Sequence, residues 1–247
     1  MNNKSVKFVL SACLMTGSVY AGTMGPAVQD YNWVGAISAG PVWEGGGRTQ
    51  TFYLTPVIEK TYWADKATTT VFNGELFAGL QKSLTPTMQW QLGLAVAATS
   101  NANLNGTIWD DADPQFENYT YEYQLQHTHI AAKGKLLADM GYWVLPWVSA
   151  SVGVGFNTAY SFSNTPLIFE AIRNPDFTSH TATSFTYTVG AGVQKAINAN
   201  WQVGVGYEFA DWGRSRLGRA PGQVLGSGLS LDHLYTNGLM FNLTYLA

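Results

Sequence analysis

From Trp201 to Phe209 the chain alternates without a break. Trp201, Val203, Val205, Tyr207 and Phe209 are bulky and apolar, while Gln202, Gly204, Gly206 and Glu208 between them are small or polar. Successive side chains of a β-strand point to opposite faces, so this is a strand with one greasy face and one polar face. Three further segments repeat the pattern. Trp90, Leu92, Leu94 and Val96 oppose Gln91, Gly93, Ala95, Ala97 and Thr99; Phe185, Tyr187, Val189 and Val193 oppose Ser184, Thr186, Gly190, Gly192 and Gln194. Val148, Val152, Val154 and Phe156 likewise oppose Ser149, Ser151, Gly153 and Gly155.

An internal repeat sets the strand number. Gly79-Leu80-Gln81-Lys82-Ser83-Leu84 returns as Gly192-Val193-Gln194-Lys195-Ala196-Ile197, each followed by a polar turn and a Trp-Gln-apolar-Gly-apolar piece. A degenerate copy runs from Gly134 to Val148, and Trp33-Val34-Gly35-Ala36-Ile37 supplies another opening strand. Trp33, Trp90, Trp147 and Trp201 lie 57, 57 and 54 residues apart. Each interval holds a strand, a long connection, a returning strand and a tight turn. Eight strands are expected, at about 33–43, 70–82, 90–99, 119–137, 145–157, 181–195, 201–210 and 233–245. Their connections alternate: short near 83–89, 138–144 and 196–200, long near 44–69, 100–118, 158–180 and 211–232.

The polar face decides between a sandwich and a membrane barrel. A soluble sandwich turns its second face to water and loads it with Lys, Glu and Asp. Charged residues here are only 12% of the chain, about half the roughly 25% usual in a soluble domain. Within the expected strands the charges are Glu75, Lys82, Glu122, Lys133, Lys135, Lys195 and Glu208. The second face is Gly, Ser, Thr and Gln, small enough to fill a narrow tube. No run of 18 apolar residues follows residue 21, so no helix there is fitted to cross a bilayer. A closed barrel is the other structure that satisfies every backbone group in hydrocarbon. The expected fold is all-β: an eight-stranded antiparallel up-and-down transmembrane β-barrel, short turns periplasmic and four long loops extracellular. Tyr and Trp near strand ends (Trp90, Trp201, Tyr119, Tyr121, Tyr245) suit its interfacial girdles.

Residues 1–21 read as a secretory signal peptide: Lys4 and Lys7, an apolar stretch from Phe8 to Met15, and Val19-Tyr20-Ala21 as the cleavage site. This implies export through the general secretory pathway. A lipoprotein box, Leu10-Ser11-Ala12-Cys13, is a weaker fit because its apolar stretch is short and broken by Lys7. The barrel domain is then 22–247, without cysteine, carrying 11 basic and 16 acidic residues for a net charge of −5. Nucleic acid is not an expected partner.

Two segments carry a family likeness. Gly238-Leu239-Met240-Phe241-Asn242-Leu243-Thr244-Tyr245 resembles the C-terminal assembly signal of outer-membrane barrels, although the chain ends Tyr245-Leu246-Ala247 instead of on Phe. Gly206-Tyr207-Glu208-Phe209-Ala210-Asp211-Trp212-Gly213 is similar to the penultimate strand of eight-stranded barrels of the opacity and outer-membrane-protein-A-like kind. The resemblance implies residence in the outer membrane of a Gram-negative cell, recognition by the barrel assembly machinery, and a structural or adhesive surface role toward an unidentified ligand.

An eight-stranded barrel is just wide enough for side chains to fill it. Glu75, Glu208, Lys133 and Lys135 are expected inside, where unpaired charge is costly, so a carboxylate should meet an ammonium group. The fourth strand conflicts with this. Tyr119, Tyr121, Tyr123 and Leu125 share a parity with His127, His129, Lys133 and Lys135. A bulge or phase change between Leu125 and Ile130 is therefore expected, turning both lysines inward. Trp147 falls on the lumen parity of its own strand.

Catalysis would need a triad near the outer rim. The histidines on offer are His127, His129, His180 beside Ser179, and His233 beside Asp232, and none lies in a nucleophile motif. Neighbours on a strand face opposite ways, so Ser179 and His180 make no dyad. His127 and His129 share a face but lack an evident third metal ligand. Asp110, Asp111 and Asp113 do not have calcium-loop spacing. The chain is therefore expected to be no enzyme and to need no metal or cofactor. Arg214, Arg216 and Arg219 in the last long loop are candidates for contact with lipopolysaccharide phosphates. The rival functions are a lipid-modifying enzyme and a narrow solute channel.

Overall fold

The computed structural model describes residues 31–247. The expected signal peptide and Cys13 lie outside them. The strands are β1 (Asn32–Glu44), β2 (Gln50–Thr55), β3 (Ile58–Ala64), β4 (Thr69–Thr85), β5 (Met88–Thr99), β6 (Ala102–Asp110), β7 (Glu117–Ala138), β8 (Leu145–Pro166), β9 (His180–Ala196), β10 (Trp201–Asp211), β11 (Ser215–Arg216), β12 (Ser230–Leu231) and β13 (Tyr235–Leu246). Eight close a ring in the order β1-β4-β5-β7-β8-β9-β10-β13 and back to β1, every pair antiparallel. Ring neighbours follow one another along the chain, so the topology is up-and-down. The fold is that of an eight-stranded transmembrane β-barrel. Among the described residues no helix is long and apolar enough to cross a membrane.

The alternation sorts the wall as expected. Leu92, Leu94, Val148, Val152, Phe185 and Phe241 are exposed on the outside, whereas Gln91, Ser149, Thr186, Gln194 and Gln202 are buried inside. An apolar belt left open to the surroundings is stable only against hydrocarbon. At the short-turn rim Trp201 and Tyr245 put their rings 4.9 Å apart. Trp147 points into the lumen, where Gly192 and Gly206 make room for it. A Cβ at Gly192 would stand 2.6 Å from the indole, and one at Gly206 would collide with it.

Two expectations about β7 are corrected. Its burial alternates regularly across Leu125–Ile130 and its pairing with β8 is unbroken from Gln124 to Leu137, so no phase change occurs. Tyr119, Tyr121 and Tyr123 are buried, on the same inward face as Lys133, and form no lipid-facing girdle. The reason is height. β7 is 22 residues long, twice the ~9–11 that span a bilayer, so its tyrosines stand above the membrane and need an apolar interior of their own. The irregularity lies on β8 instead, between Tyr160 and Ser163, where Ser161 takes φ 54°.

That interior is supplied by the long connections, which fold into a cap. The first makes the hairpin β2–β3, the second holds β6, and β2-β3-β6 extends the upper half of β7 and β8 as one sheet. Tyr62, Leu104, Ile108, Tyr121, Phe162 and Phe177 pack with Leu217, Leu229, Leu231 and Leu234 from the last connection. The Phe162 and Phe177 rings are 4.8 Å apart, and Tyr62 is 5.4 Å from Phe177. The free edge of β2 is covered, since Val224 and Leu225 both donate backbone N–H groups to the Leu54 carbonyl.

Candidate functional site: the occluded lumen and its lid

The lumen is bridged at its middle by Lys133. Its Nζ lies 2.6 and 2.8 Å from the Glu75 carboxylate oxygens and 2.9 Å from Glu208 Oε2. The three side chains come from β7, β4 and β10, which stand around the ring, so the bridge crosses the bore. All three are at most 11% exposed. Lys135 takes a different course: it donates to Gln194 Oε1 at 2.5 Å and lies 4.4 Å from the Trp147 ring centroid. Gln194 in turn donates to Gln202, and Gln91 to Gln81. The void beside this network is about 40 Å³, on the scale of a water molecule or two.

A second layer lies above it. His127 Nδ1 is 3.0 Å from Asn157 Oδ1, while its Nε2 is 3.6 Å from Glu44 Oε1, and all these side chains are sealed from solvent. His129 stacks on Trp212 at 4.8 Å. Trp212 is the lid. It is fully buried, donates Nε1–H to Thr236 Oγ1 at 2.8 Å, and its carbonyl accepts from Asn157 Nδ2 at 2.6 Å. Gly213 turns the chain there with φ +73°, a conformation open to glycine.

The segment that carries the lid also closes the wall. β9 pairs with β8 up to His180, but with β10 only from Tyr187 downward. Along the unpaired stretch Arg214 N–H donates to Ser184 Oγ, and Gly218 N–H donates to the Thr178 carbonyl. Arg214, Arg216 and Arg219 are consequently exposed on the outside of this seam. Arg216 donates to His180 Nε2 at 3.2 Å and Arg219 to the Gly226 carbonyl at 2.7 Å.

The other histidine has a partner the sequence did not indicate. His233 Nδ1 is 2.9 Å from Asp211 Oδ2, while Asp232 pairs with Arg48. Among the described residues none of the four imidazoles hydrogen-bonds a serine, and no cluster of three His, Cys, Asp or Glu is arranged to hold a metal. Glu44 and Trp212 were missed by sequence reading. Glu44 shares the parity of Val42, and its inward direction was legible once β1 was phased. Trp212 lies just beyond β10 on the lumen parity of Glu208 and Ala210, which gave its inward direction but not its place as a lid.

In the cap, burial pushes the Tyr62, Tyr121 and Tyr123 phenols up, helped by the Tyr121 ring and Asp110 at Tyr62, by Asp65 at Tyr121, and by Tyr121 and Glu44 at Tyr123. The folded state holds these protons more tightly than the unfolded one. Their contribution to stability is therefore complete below the unfolded value of about 10 and is lost as pH rises beyond it. Alkaline titration should ionise the exposed tyrosines first. Tyrosinate absorbance from these three should appear together with new protease cleavage in the cap. Ionisation with no opening of the cap would contradict the buried assignment.

No protein-family model matches the chain, and no curated protein is significantly similar to it. Solved structures do match. Neisserial surface protein A is 13% identical, over 87% of this chain and 96% of that one, with a TM-score of 0.44. The outer membrane protease OmpT from Escherichia coli is 9% identical over 87% and 97%, with a TM-score of 0.48. Ail, the attachment invasion locus protein of Yersinia pestis, is 13% identical over 87% and 99%, with a TM-score of 0.35.

Proposed function

We propose that this chain is an outer-membrane barrel, exported by its signal peptide through the general secretory pathway and inserted by the assembly machinery, whose role is structural and surface-presenting. It anchors in lipid, conducts nothing, and offers its folded cap to the outside as an adhesive surface. One observation carries this reading: the bore is crossed by Lys133–Glu75–Glu208 and then covered by Trp212 beneath an apolar core common to the long connections. A conduit needs a continuous wet path, and a catalyst at this rim needs a nucleophile within reach of its base. Neither arrangement is present among the described residues. The test is electrical. Purified protein in planar bilayers should give no conductance steps above the lipid background, while unboiled protein still runs apart from boiled protein in detergent gels. Regular steps from heat-modifiable protein would overturn the reading in favour of a channel.

Arg214, Arg216 and Arg219 are proposed to meet lipopolysaccharide phosphates. They lie exposed on the outside of the seam between β9 and β10, and Arg guanidinium groups suit phosphate recognition. Changing all three to Gln should weaken lipopolysaccharide binding several-fold, read by co-purification in detergent. Undiminished co-purification would remove the arginines from that role.

A further inference from the structure

The outward face of the cap sheet holds an unassigned cleft of about 410 Å³. Two rows of side chains cross it. Register places Trp63, Thr107, Thr120 and Thr165 side by side on β3, β6, β7 and β8, and below them Asn105, Glu122 and Ser163. Asp65 extends the second row, accepting from Asn105 Nδ2 at 3.4 Å, and Ser163 Oγ donates to Glu122 Oε1 at 3.3 Å. At one end Trp63 and Trp109 stand stacked, their centroids 6.3 Å apart and their planes 17° apart. Trp63 is 44% exposed. The Trp109 indole N–H donates to Glu117 Oε2, which holds its ring in place. Thr107 and Thr120 line its floor between the two rows' ends.

We infer that this cleft binds a sugar chain: the polysaccharide of the glycolipid in whose leaflet the barrel sits. Fixed indole faces exposed to water attract the polarised C–H face of a pyranose, because the π face is negative. Paired carboxylate, amide and hydroxyl groups beside them match vicinal sugar hydroxyls, each of which both donates and accepts. The lining carries Asp65 and Glu122 and no basic residue, which favours a neutral, hydroxyl-rich ligand over a sulfated or phosphorylated one. Position selects the source. The cleft lies on the same outer wall as Ile130 of the apolar belt, and Glu122 is eight residues up β7 from it, roughly 26 Å along the strand and about 20 Å in height. Sugars, not acyl chains, surround the wall at that level.

The inference rests on the outer-membrane reading but is tested apart from it. The probe is the lipid-free polysaccharide released from lipopolysaccharide by mild acid, titrated calorimetrically into the full chain in detergent, with heparin as the sulfated control. The wild type should bind the polysaccharide and not heparin. Trp63→Ala with Trp109→Ala should weaken binding at least tenfold while the gel shift of the intact barrel persists, and Asn105→Ala with Glu122→Gln should weaken it as well. Arg214, Arg216 and Arg219 changed to Gln should leave polysaccharide affinity unchanged. Absence of wild-type binding up to about 10 mM, preference for heparin, or equal affinity in the Trp double variant would each overturn the cleft assignment. The barrel and its location would stand on the gel shift.

Discussion

Lys133→Met should be among the most destabilising single substitutions in the barrel wall, costing about 3–5 kcal/mol. Met keeps the length and apolar stem of Lys but leaves Glu75 and Glu208 facing each other across the bore with no ammonium between them. Lys135 is no substitute, since it is held by Gln194 and Trp147. The measurement is the urea midpoint of the gel-shifted form. The control is the triple variant Lys133→Met, Glu75→Gln, Glu208→Gln, which removes the charge together with its partners and should recover most of the loss. A single variant as stable as wild type would mean that water reaches the carboxylates and that the bridge does not block the lumen.

Trp212→Ala should open the lid. A fully buried indole that seals two histidines and bonds Thr236 leaves a cavity on truncation, and comparable Trp→Ala changes cost about 3–5 kcal/mol. The cost falls on the segment from Gly213 to Gly218, which is tied to β9 by few hydrogen bonds. Local opening of that segment should therefore rise roughly a hundredfold or more. Trypsin reads this directly, because Arg214 and Arg216 lie on the segment and Arg219 follows it, and wild-type protein should be cut there slowly. The β1–β13 pairing continues below Thr236 to Val34 and Leu246, and the Lys133 bridge holds without Trp212, so the gel shift should survive and the bilayer should still show no current. Cleavage at the wild-type rate would mean that Trp212 is not what fastens the segment.

Phe209, Tyr207 and Val205 against Glu208 and Gly206 show why the membrane-spanning wall was legible in the sequence. Hydrocarbon on one side and a narrow polar bore on the other force a strict period of two, and that period writes itself into every second residue. The ion bridge was legible for the same reason. Once parity put Glu75, Glu208 and Lys133 inside, the cost of unpaired charge left them few alternatives, although parity gave no reason for Lys133 to take both carboxylates while Lys135 turned to Gln194. Above the bilayer the rule lapses. β3 carries Tyr62 and Trp63 on opposite faces, one packed in the cap and one in water, so alternation is erased and a strand looks like a loop. The same loss of contrast made Tyr119 and Tyr121 look like lipid-facing girdle residues. What the residues alone determined was the cylinder: strand number, order, and which side meets lipid. Where the long connections go was decided only by tertiary packing, because a cap is held by contacts between distant segments, Phe162 on Phe177 and Trp212 on His129, and no local period records a contact of that kind.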